Sequence, residues 1–427
     1  FQKDYGGEVT YLVENFRSTQ NIITAANHII QRGLDRMKVD HPIRINDARV
    51  KDPPGGRWAA VDDDTRGRVK LISAPVDPNL QAQLVLHEIG RLRRVDPALV
   101  LSEVAVLART HRALEPVRAA CEQAGLRYQL LSPEANAARV PLMQSREGWR
   151  IAGMLRQRRA RLIRIAAVHR WVGRRQQDEP ANPYWEDIAG CIEEFAAEAR
   201  AARVTASELL EALHEAGREA KRSGQVGAVR LMTAHGAKGL EFAHVVIMDC
   251  GDWRWTSEDE RRLLYVGMTR AKESLVLMRA EDGRNTCLVD LATVSGVMHA
   301  LPEQRPTHKL ELDRRYVSLG PAEVDLGYAG RRPPSDVVHN HLARLRLGDE
   351  LKLRGRELET SEGNSIGKLA QKVSLEGHLR SAHVTGIMVR TKARTDARYL
   401  DAIRTDVWEV ALAEVILEPA DASSATG

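Results

Sequence analysis

Thr233, His235, Lys238 and Glu241 fall within nine residues of one another in TAHGAKGLEF, between two apolar runs, Val229–Thr233 and His244–Met248. A hydroxyl and an imidazole can each hold a phosphate or a sugar without reading sequence. Lys238 can approach a phosphate, and Glu241 supplies an acceptor that could equally pair with Lys238. Gly236 and Gly239 permit the backbone of such a turn. Two further residues of the same chemical character stand apart. Arg17 lies in ENFRST, and Arg270 ends the short apolar run in RRLLYVGMTRA. An arginine is always charged, and its planar fork matches phosphate oxygens. A surface ion pair is the alternative role for each. A third group is a run from Glu147 to Arg175 with Arg150, Arg156, Arg158, Arg159, Arg161, Arg164, Arg170, Arg174 and Arg175 and no acid after Glu147. Such a run would bind a phosphate backbone by counterion release, or else dock against acids such as Glu193, Glu194 and Glu198. Trp253 and Trp255 could stack bases or fill a core.

The elements that must position these residues follow from periodicity. Val229–Thr233, His244–Met248, Val69–Ser73 and Val104–Ala108 read as buried strands. Glu14–Arg32, with Ser18 or Thr19 as N-cap, Asn79–Arg94 and Ala113–Ala124 read as helices. Strands alternating with helices imply a parallel sheet, whose ligands lie outside the carboxyl ends of the strands. Lys51–Gly67 reads as a surface loop. From Ser132 to Gly227 the pattern is helical, over Glu147–Val172, Tyr184–Ala202 and Thr205–Arg222. Beyond Thr286 come linker-like stretches, Leu301–Pro306 and Gly330–Asp336. Short alternating runs follow at His341–Leu347, Glu350–Leu353, Val384–Val389 and Val407–Leu417, predicting a small β-barrel-like module.

Composition narrows the class. The 427 residues suffice for two to four domains, and 43% hydrophobic content with 4% aromatics suits a helix-rich α/β protein. A net charge of +5 favours an anionic partner only weakly, because 58 acids balance most of 63 bases. Cys121, Cys191, Cys250 and Cys287 are widely spaced, without the C-x-x-C of a zinc or redox site, so a reducing cytoplasm is expected. No apolar run approaches membrane-spanning length, and no membrane partner is expected.

The quoted segments carry a family resemblance. TAHGAKGLEF resembles motif V, RRLLYVGMTRA motif VI and ENFRST motif IV of the UvrD/Rep family of superfamily 1 DNA helicases, and Val104–Leu131 resembles the strand–helix–strand after motif IV. Four segments in the family's order make the match specific. The resemblance implies a RecA-like α/β parallel-sheet domain (1–131 and 228–290), an inserted and shortened helical subdomain (132–227), a linker (291–336) and a small β-rich C-terminal module (337–420). It implies ATP and Mg²⁺, 3′-to-5′ travel, and contacts with single-stranded and duplex DNA. Arg17 and Arg270 would be the catalytic arginines reaching the γ-phosphate, where such a group contributes ~10³–10⁵ in rate. Phe16, where the family commonly has Tyr, would stack on adenine or else pack in the core. Glu241 would accept from the ribose, with Gly239 beside it on the nucleotide side. Thr233 and His235 would touch single-stranded DNA, with Arg109 and His111 on the same track, although the family often has Asn where His111 stands. Apart from the resemblance, the basic run itself gives Arg158, Arg159 and Arg161 as expected DNA contacts.

No G-x-x-x-x-G-K-[ST] phosphate loop occurs in the chain. The expectation is therefore the C-terminal portion of a longer ATP-dependent helicase. Its partner would be an N-terminal RecA-like domain preceding Phe1, and the portion alone would be inactive. Two other readings stay open: a non-enzymatic nucleic-acid binder on a relic helicase domain, and part of a helicase–nuclease.

Overall fold

Aliphatic runs too apolar to face water on either side build the larger sheet of the chain. The computed structural model describes residues 13–33, 42–132, 138–180, 182–199, 201–219, 227–253, 257–282, 285–291 and 293–418. It divides into two compact units, Phe1–Ser132 with Gly224–Arg314, and Pro133–Ser223 with Arg315–Gly427.

The first unit holds a seven-stranded sheet. Its spatial order is Val297–Ala300, Val69–Ala74, Ala271–Ala280, Phe242–Ile247, Val104–Ala108, Val229–Thr233 and Tyr128–Leu131. Every neighbouring pair is parallel. Period-two alternation sends Ala105, Leu107, Val245, Ile247, Leu275 and Leu277 to one face. Val104, Val106, Val246, Val276 and Met278 go to the other. Helices Gln20–Gln31 and Glu258–Met268 bury Ile22, Ile29, Leu263 and Leu264 on the first face. Pro78–Val95 and Glu115–Gln123 bury Val85, Ile89 and Val117 on the second. Two-sided cover is what a parallel sheet requires, so this unit has the α/β parallel-sheet architecture expected of a RecA-like domain.

Several sequence expectations need correction here. The first helix starts at Gln20, not Glu14, because Glu14–Asn15 extends to pair with Arg44–Ile45. Thr19 occupies the N-cap position but makes no side-chain cap bond. The expected Lys51–Gly67 surface loop contains a helical turn, Trp58–Val61, whose Trp58 ring is fully buried edge-on to His244 at 4.7 Å between centroids. The stretch 291–336 is not a plain linker. Val297–Ala300 forms the edge strand beside Val69–Ala74, and Arg315–Leu319 joins the second unit's sheet.

In the second unit, helices Arg146–Arg156, Ile165–Asp178, Pro183–Ala199 and Ala206–Glu219 enclose a core of Ile151, Leu155, Val172, Trp185, Ile188 and Leu209. The expected single helix Glu147–Val172 is broken. Its middle leaves the helix at Gln157, and Leu162–Arg164 pairs antiparallel with Arg203–Thr205. The last helix opens on a capping box: Thr205 Oγ1 accepts from the Glu208 N–H at 3.2 Å, and the Glu208 carboxylate accepts from the Thr205 N–H at 2.7 Å.

The C-terminal strands form a six-stranded antiparallel sheet ordered Arg315–Leu319, Val407–Glu418, His378–Thr391, Glu350–Arg354, Glu357–Thr360 and Ser365–Lys368. Just beyond its two edge strands, Val324 bridges Leu369, and Asp325 N–H donates to Lys368 O at 2.7 Å. The sheet therefore curls back on itself, leaving little exposed edge. His341–Leu347, expected as an alternating run, instead lies mostly in helix Val337–Arg344, whose Val338 and Leu342 sit four apart over the barrel core. Asp336 caps it, accepting from Val338 N–H at 3.0 Å. The barrel and the helical insert share one unit. Buried Arg146 donates to both Glu409 oxygens at 2.6 and 2.5 Å and to the carbonyls of Leu345 and Leu342 at 2.5 and 2.6 Å. Among the described residues no helix is long and apolar enough to cross a membrane.

Candidate functional site

The residues expected to hold a nucleotide gather at the amino ends of two central strands of the first unit. Ala271 is in register with Phe242, and Phe242 N–H donates to Arg270 O at 3.0 Å, which sets Arg270 beside Glu241. The Arg17 loop is tied to the same place. The Asn15 side chain accepts from the N–H groups of Arg17 and Ser18 at 2.9 and 2.7 Å. Ser18 Oγ donates to Ala271 O at 2.7 Å, and Thr19 N–H donates to Lys272 O at 3.1 Å. The Asx turn fixes the loop's shape, and the two tethers fix it to the sheet.

Within this frame Arg17 Nε lies 2.5 Å from Glu241 Oε2, and Lys272 Nζ lies 2.6 Å from Glu241 Oε1. The hydrogen bond from Lys272, with help from Arg17, holds the Glu241 carboxyl below its usual range. Arg270 donates to the carbonyls of Val266 and Leu240 at 2.9 and 3.2 Å and to Thr269 Oγ1 at 3.2 Å. Through Val266 it thus caps the end of helix Glu258–Met268, and through Leu240 it ties the preceding crossover to it. Burial, and next the neighbouring Arg17, lower the Arg270 pKa. Phe16 is 70% exposed, so it is not a core residue. With Glu14, Asn15, Arg17, Glu241 and Lys272 it lines an open cleft of about 550 Å³. Two lining cations, with Arg270 next to Glu241, and an exposed aromatic face suit an anionic ligand carrying a planar ring, although the carboxylates of Glu14 and Glu241 share the wall. Gly239, at φ +85°, adopts a left-handed backbone that favours glycine and has open space around it.

The residues of the same segment that the resemblance assigns to DNA are elsewhere. Thr233 is in register with Ala108, and Ala234 N–H donates to Ala108 O at 2.9 Å, at the carboxyl ends of their strands. Strands of five or six residues separate the two ends by roughly 16–20 Å. Residues 234–241 span that distance along one sheet face, with Ala234 and Ala237 in the core. The single ligand edge expected from the sequence is therefore two: Thr233 and His235 at the carboxyl ends, Glu241 with Arg17 and Arg270 at the amino ends. His235 is exposed, whereas the Thr233 hydroxyl accepts from Gly236 N–H at 3.1 Å and so also shapes the turn. Arg109, near Thr233, donates through Nε to both oxygens of buried Glu260 at 2.9 Å. His111, half-buried, precedes a 3₁₀ turn, Arg112–Leu114. Trp253 is core, its indole N–H donating to Met248 O at 3.1 Å. Trp255 lies outside the described residues.

The arginine run belongs to the second unit. Arg158, Arg159 and Arg161 sit on the exposed turn between helix Arg146–Arg156 and strand Leu162–Arg164, not on a helix. Among the described residues none of these three makes an ion pair, and Glu193 pairs with His169 instead. Two arginines of the run lie over aromatic rings, Arg156 on Trp149 and Arg175 on Trp171, each at 5.4 Å. Sequence reasoning missed Lys272 and Glu260. Both are partners across chain separations that no local pattern reveals. The only signal for Lys272 was its place two residues past Arg270.

Parts of this chain are similar to known DNA helicases. Residues 181–282 match the UvrD-like helicase C-terminal domain. The chain is 43% identical over 118 residues to DNA helicase II of Salmonella typhimurium, covering 24% of this chain and 16% of that protein. It is 30% identical over 129 residues to the ATP-dependent DNA helicase PcrA of Bacillus subtilis, covering 26% and 18%. With the ATP-dependent DNA helicase UvrD2 of Mycobacterium bovis the match is 27% over 300 residues, covering 65% of this chain and 40% of the relative. The chain thus spans well under half the length of these curated relatives. It carries a UvrD/Rep-type helicase C-terminal portion.

Proposed function

We propose that this chain is the C-terminal half of an ATP-dependent DNA helicase or translocase. Its first unit would act as the second RecA-like domain, facing a P-loop domain that binds ATP with Mg²⁺. The observation that carries this reading is the joint placement of Arg17, Lys272 and Arg270 around Glu241 at one end of the sheet, beside exposed Phe16. That donor set fits a polyphosphate with an attached ring. Hydrolysis of the bound ATP would supply the free energy for movement.

The chain's own residues divide the work. Arg17 and Arg270 neutralise charge on the transferring phosphoryl group. Arg17 can do so by exchanging its partner: its ion pair with Glu241 is more than a third exposed on both sides, so it is worth little and gives way to a phosphate. Arg270 stays anchored to the helix end, which orients its fork. Phe16 offers a stacking face, and Glu241 an acceptor for the ribose. Thr233 and His235 contact single-stranded DNA from the opposite end of the sheet. The crossover 234–241 joins the two ends covalently, so nucleotide state and strand contact are coupled through one short segment. Exposed Arg158, Arg159 and Arg161 contribute duplex or single-strand contacts. Travel in the 3′-to-5′ direction and a cytoplasmic setting follow by analogy with the family.

The test uses the longer protein with its P-loop domain. Arg17→Ala and Arg270→Ala should each lower DNA-stimulated ATP turnover by ~10³-fold, with circular dichroism unchanged. Full turnover in either folded variant overturns the reading. The chain by itself should bind nucleotide weakly and hydrolyse none.

A further inference from the structure

The β-barrel of the second unit holds a cavity of about 800 Å³ at the end where the sheet curls closed. Its size falls in the range of small-molecule sites. Trp408 forms part of the floor, its indole N–H donating to Leu326 O at 2.7 Å and its ring packed against Gly330 so closely that a Cβ there would meet it at 2.7 Å. The wall comes from five separate segments: the stretch after strand Arg315–Leu319, the hairpin turn at Arg356, the end of strand Ser365–Lys368, strand His378–Thr391 at Arg390, and the 3₁₀ turn Ala397–Ala402 with its flanks.

The charges on this wall are unbalanced. Both acids that line it have their own arginines. Asp325 accepts from Arg331 Nη1 at 3.1 Å, and Asp396 accepts from Arg398 Nη2 at 2.9 Å. Three cations are left over, Arg356, Lys368 and Arg390, none of which makes an ion pair among the described residues. Arg356 Nη2 donates to Leu369 O at 2.7 Å, which fixes that guanidinium in place. The Nε atoms of Arg356 and Arg390 are buried without any partner. Removing such donors from water without an acceptor is costly, so an anion that accepts from them is the natural complement. Tyr399 stands at the mouth, 59% exposed, with the Arg398 guanidinium over the ring at 5.6 Å and so one face to offer for stacking.

We propose that this cavity is a nucleotide-binding site, taking a phosphate between Arg356, Lys368 and Arg390 and stacking the attached base on Tyr399. The ligand is a nucleoside phosphate, either free or at the end of a nucleic-acid strand. This site is separate from the Arg17 cleft and independent of the helicase reading.

The experiment measures affinities of the full chain by calorimetry for thymidine monophosphate, thymidine and inorganic phosphate, and by polarisation for fluorescent oligo(dT) with or without a terminal phosphate. The variants are Arg390→Gln with Lys368→Gln, and Tyr399→Ala. The wild type should prefer the monophosphate to thymidine, and the double variant should lose about tenfold or more in affinity for it. Tyr399→Ala, a surface change that leaves the fold intact, should weaken the monophosphate but not inorganic phosphate. Loss confined to thymidine monophosphate identifies a free nucleotide. Loss confined to the phosphorylated oligonucleotide identifies a strand end. Equal binding of thymidine and its monophosphate overturns the proposal. So does affinity unchanged in both variants, or no binding of any phosphorylated probe.

Discussion

At the scale of single residues, Glu241 is the pivot of the first unit's cleft. One carboxylate holds both Arg17 and Lys272, and both ion pairs are solvent-screened, so each contributes roughly 0–1 kcal/mol. The arrangement keeps two cations preorganised yet available. Glu241→Gln removes the competing charge and keeps the side-chain shape. We expect inorganic pyrophosphate to bind this chain about threefold to tenfold more tightly in that variant, measured by calorimetry at low salt. Affinity that stays level or falls would mean that Glu241 does not compete for the two cations. Arg270 differs in kind, because its partners are backbone carbonyls, Val266 near a helix end and Leu240 in the crossover. Its fork is held by local structure whether or not a ligand is present.

At the scale of elements, the turn carrying Arg158, Arg159 and Arg161 shows how exposure and charge combine. Helix Arg146–Arg156 is amphipathic, with Ile151, Ala152 and Leu155 buried, but the residues after Gln157 have nothing apolar to bury. The chain turns out to solvent, and a two-stranded ladder of Leu162–Arg164 and Arg203–Thr205 stabilises the excursion. Reversing the three arginines to Glu should leave thermal stability within about 0.5 kcal/mol. Duplex DNA affinity should fall, and the slope of log K against log salt should flatten by about 0.9 for each phosphate that is no longer neutralised. Unchanged affinity across a salt series assigns the turn no role in DNA binding.

At the scale of the whole molecule, each unit is locked by a buried polar group. In the second, Arg146 satisfies Glu409 and the carbonyls of Leu342 and Leu345. Arg146→Met leaves a carboxylate and two carbonyls without their donor, which should cost about 3–5 kcal/mol. Limited proteolysis should then cut within 315–350 much faster than in the wild type. Wild-type resistance would show that hydrophobic packing alone joins the insert to the barrel. In the first unit, burial pushes the His244 pKa from 6.5 down to about 4, beside Trp58 and with Nδ1 2.7 Å from Ser274 Oγ. The unfolded chain therefore takes up a proton that the folded state excludes. Stability is fully present above pH about 6.5 and falls as pH drops toward 4, by on the order of 3 kcal/mol. The melting temperature should decline through that window, and His244→Gln should flatten the decline. A melting curve with the same pH dependence in the variant would place the titrating group elsewhere.

What the sequence by itself determined was the parallel sheet, most of its strands and the residue types of the cleft. Those features are written in short-range signals. Val104–Ala108 is apolar throughout because neighbours cover both faces, and ENFRST, TAHGAKGLEF and RRLLYVGMTRA place their charges next to such strands. The capping box of Thr205 and Glu208 is a short-range pattern of the same kind. Tertiary structure alone decided the rest. The split of TAHGAKGLEF between the two ends of the sheet depends on Phe242–Ile247 running parallel to Val229–Thr233 with Val104–Ala108 between them, which no local pattern encodes. The pairing of Arg109 with Glu260 and of Glu241 with Lys272, and the burial of Trp58, arise the same way. So do the curl of the barrel through Val324 and Leu369 and the Arg146 clasp on Glu409. Each joins residues distant in the chain, where proximity is set by how the packed layers meet and not by the periodicity of any one segment.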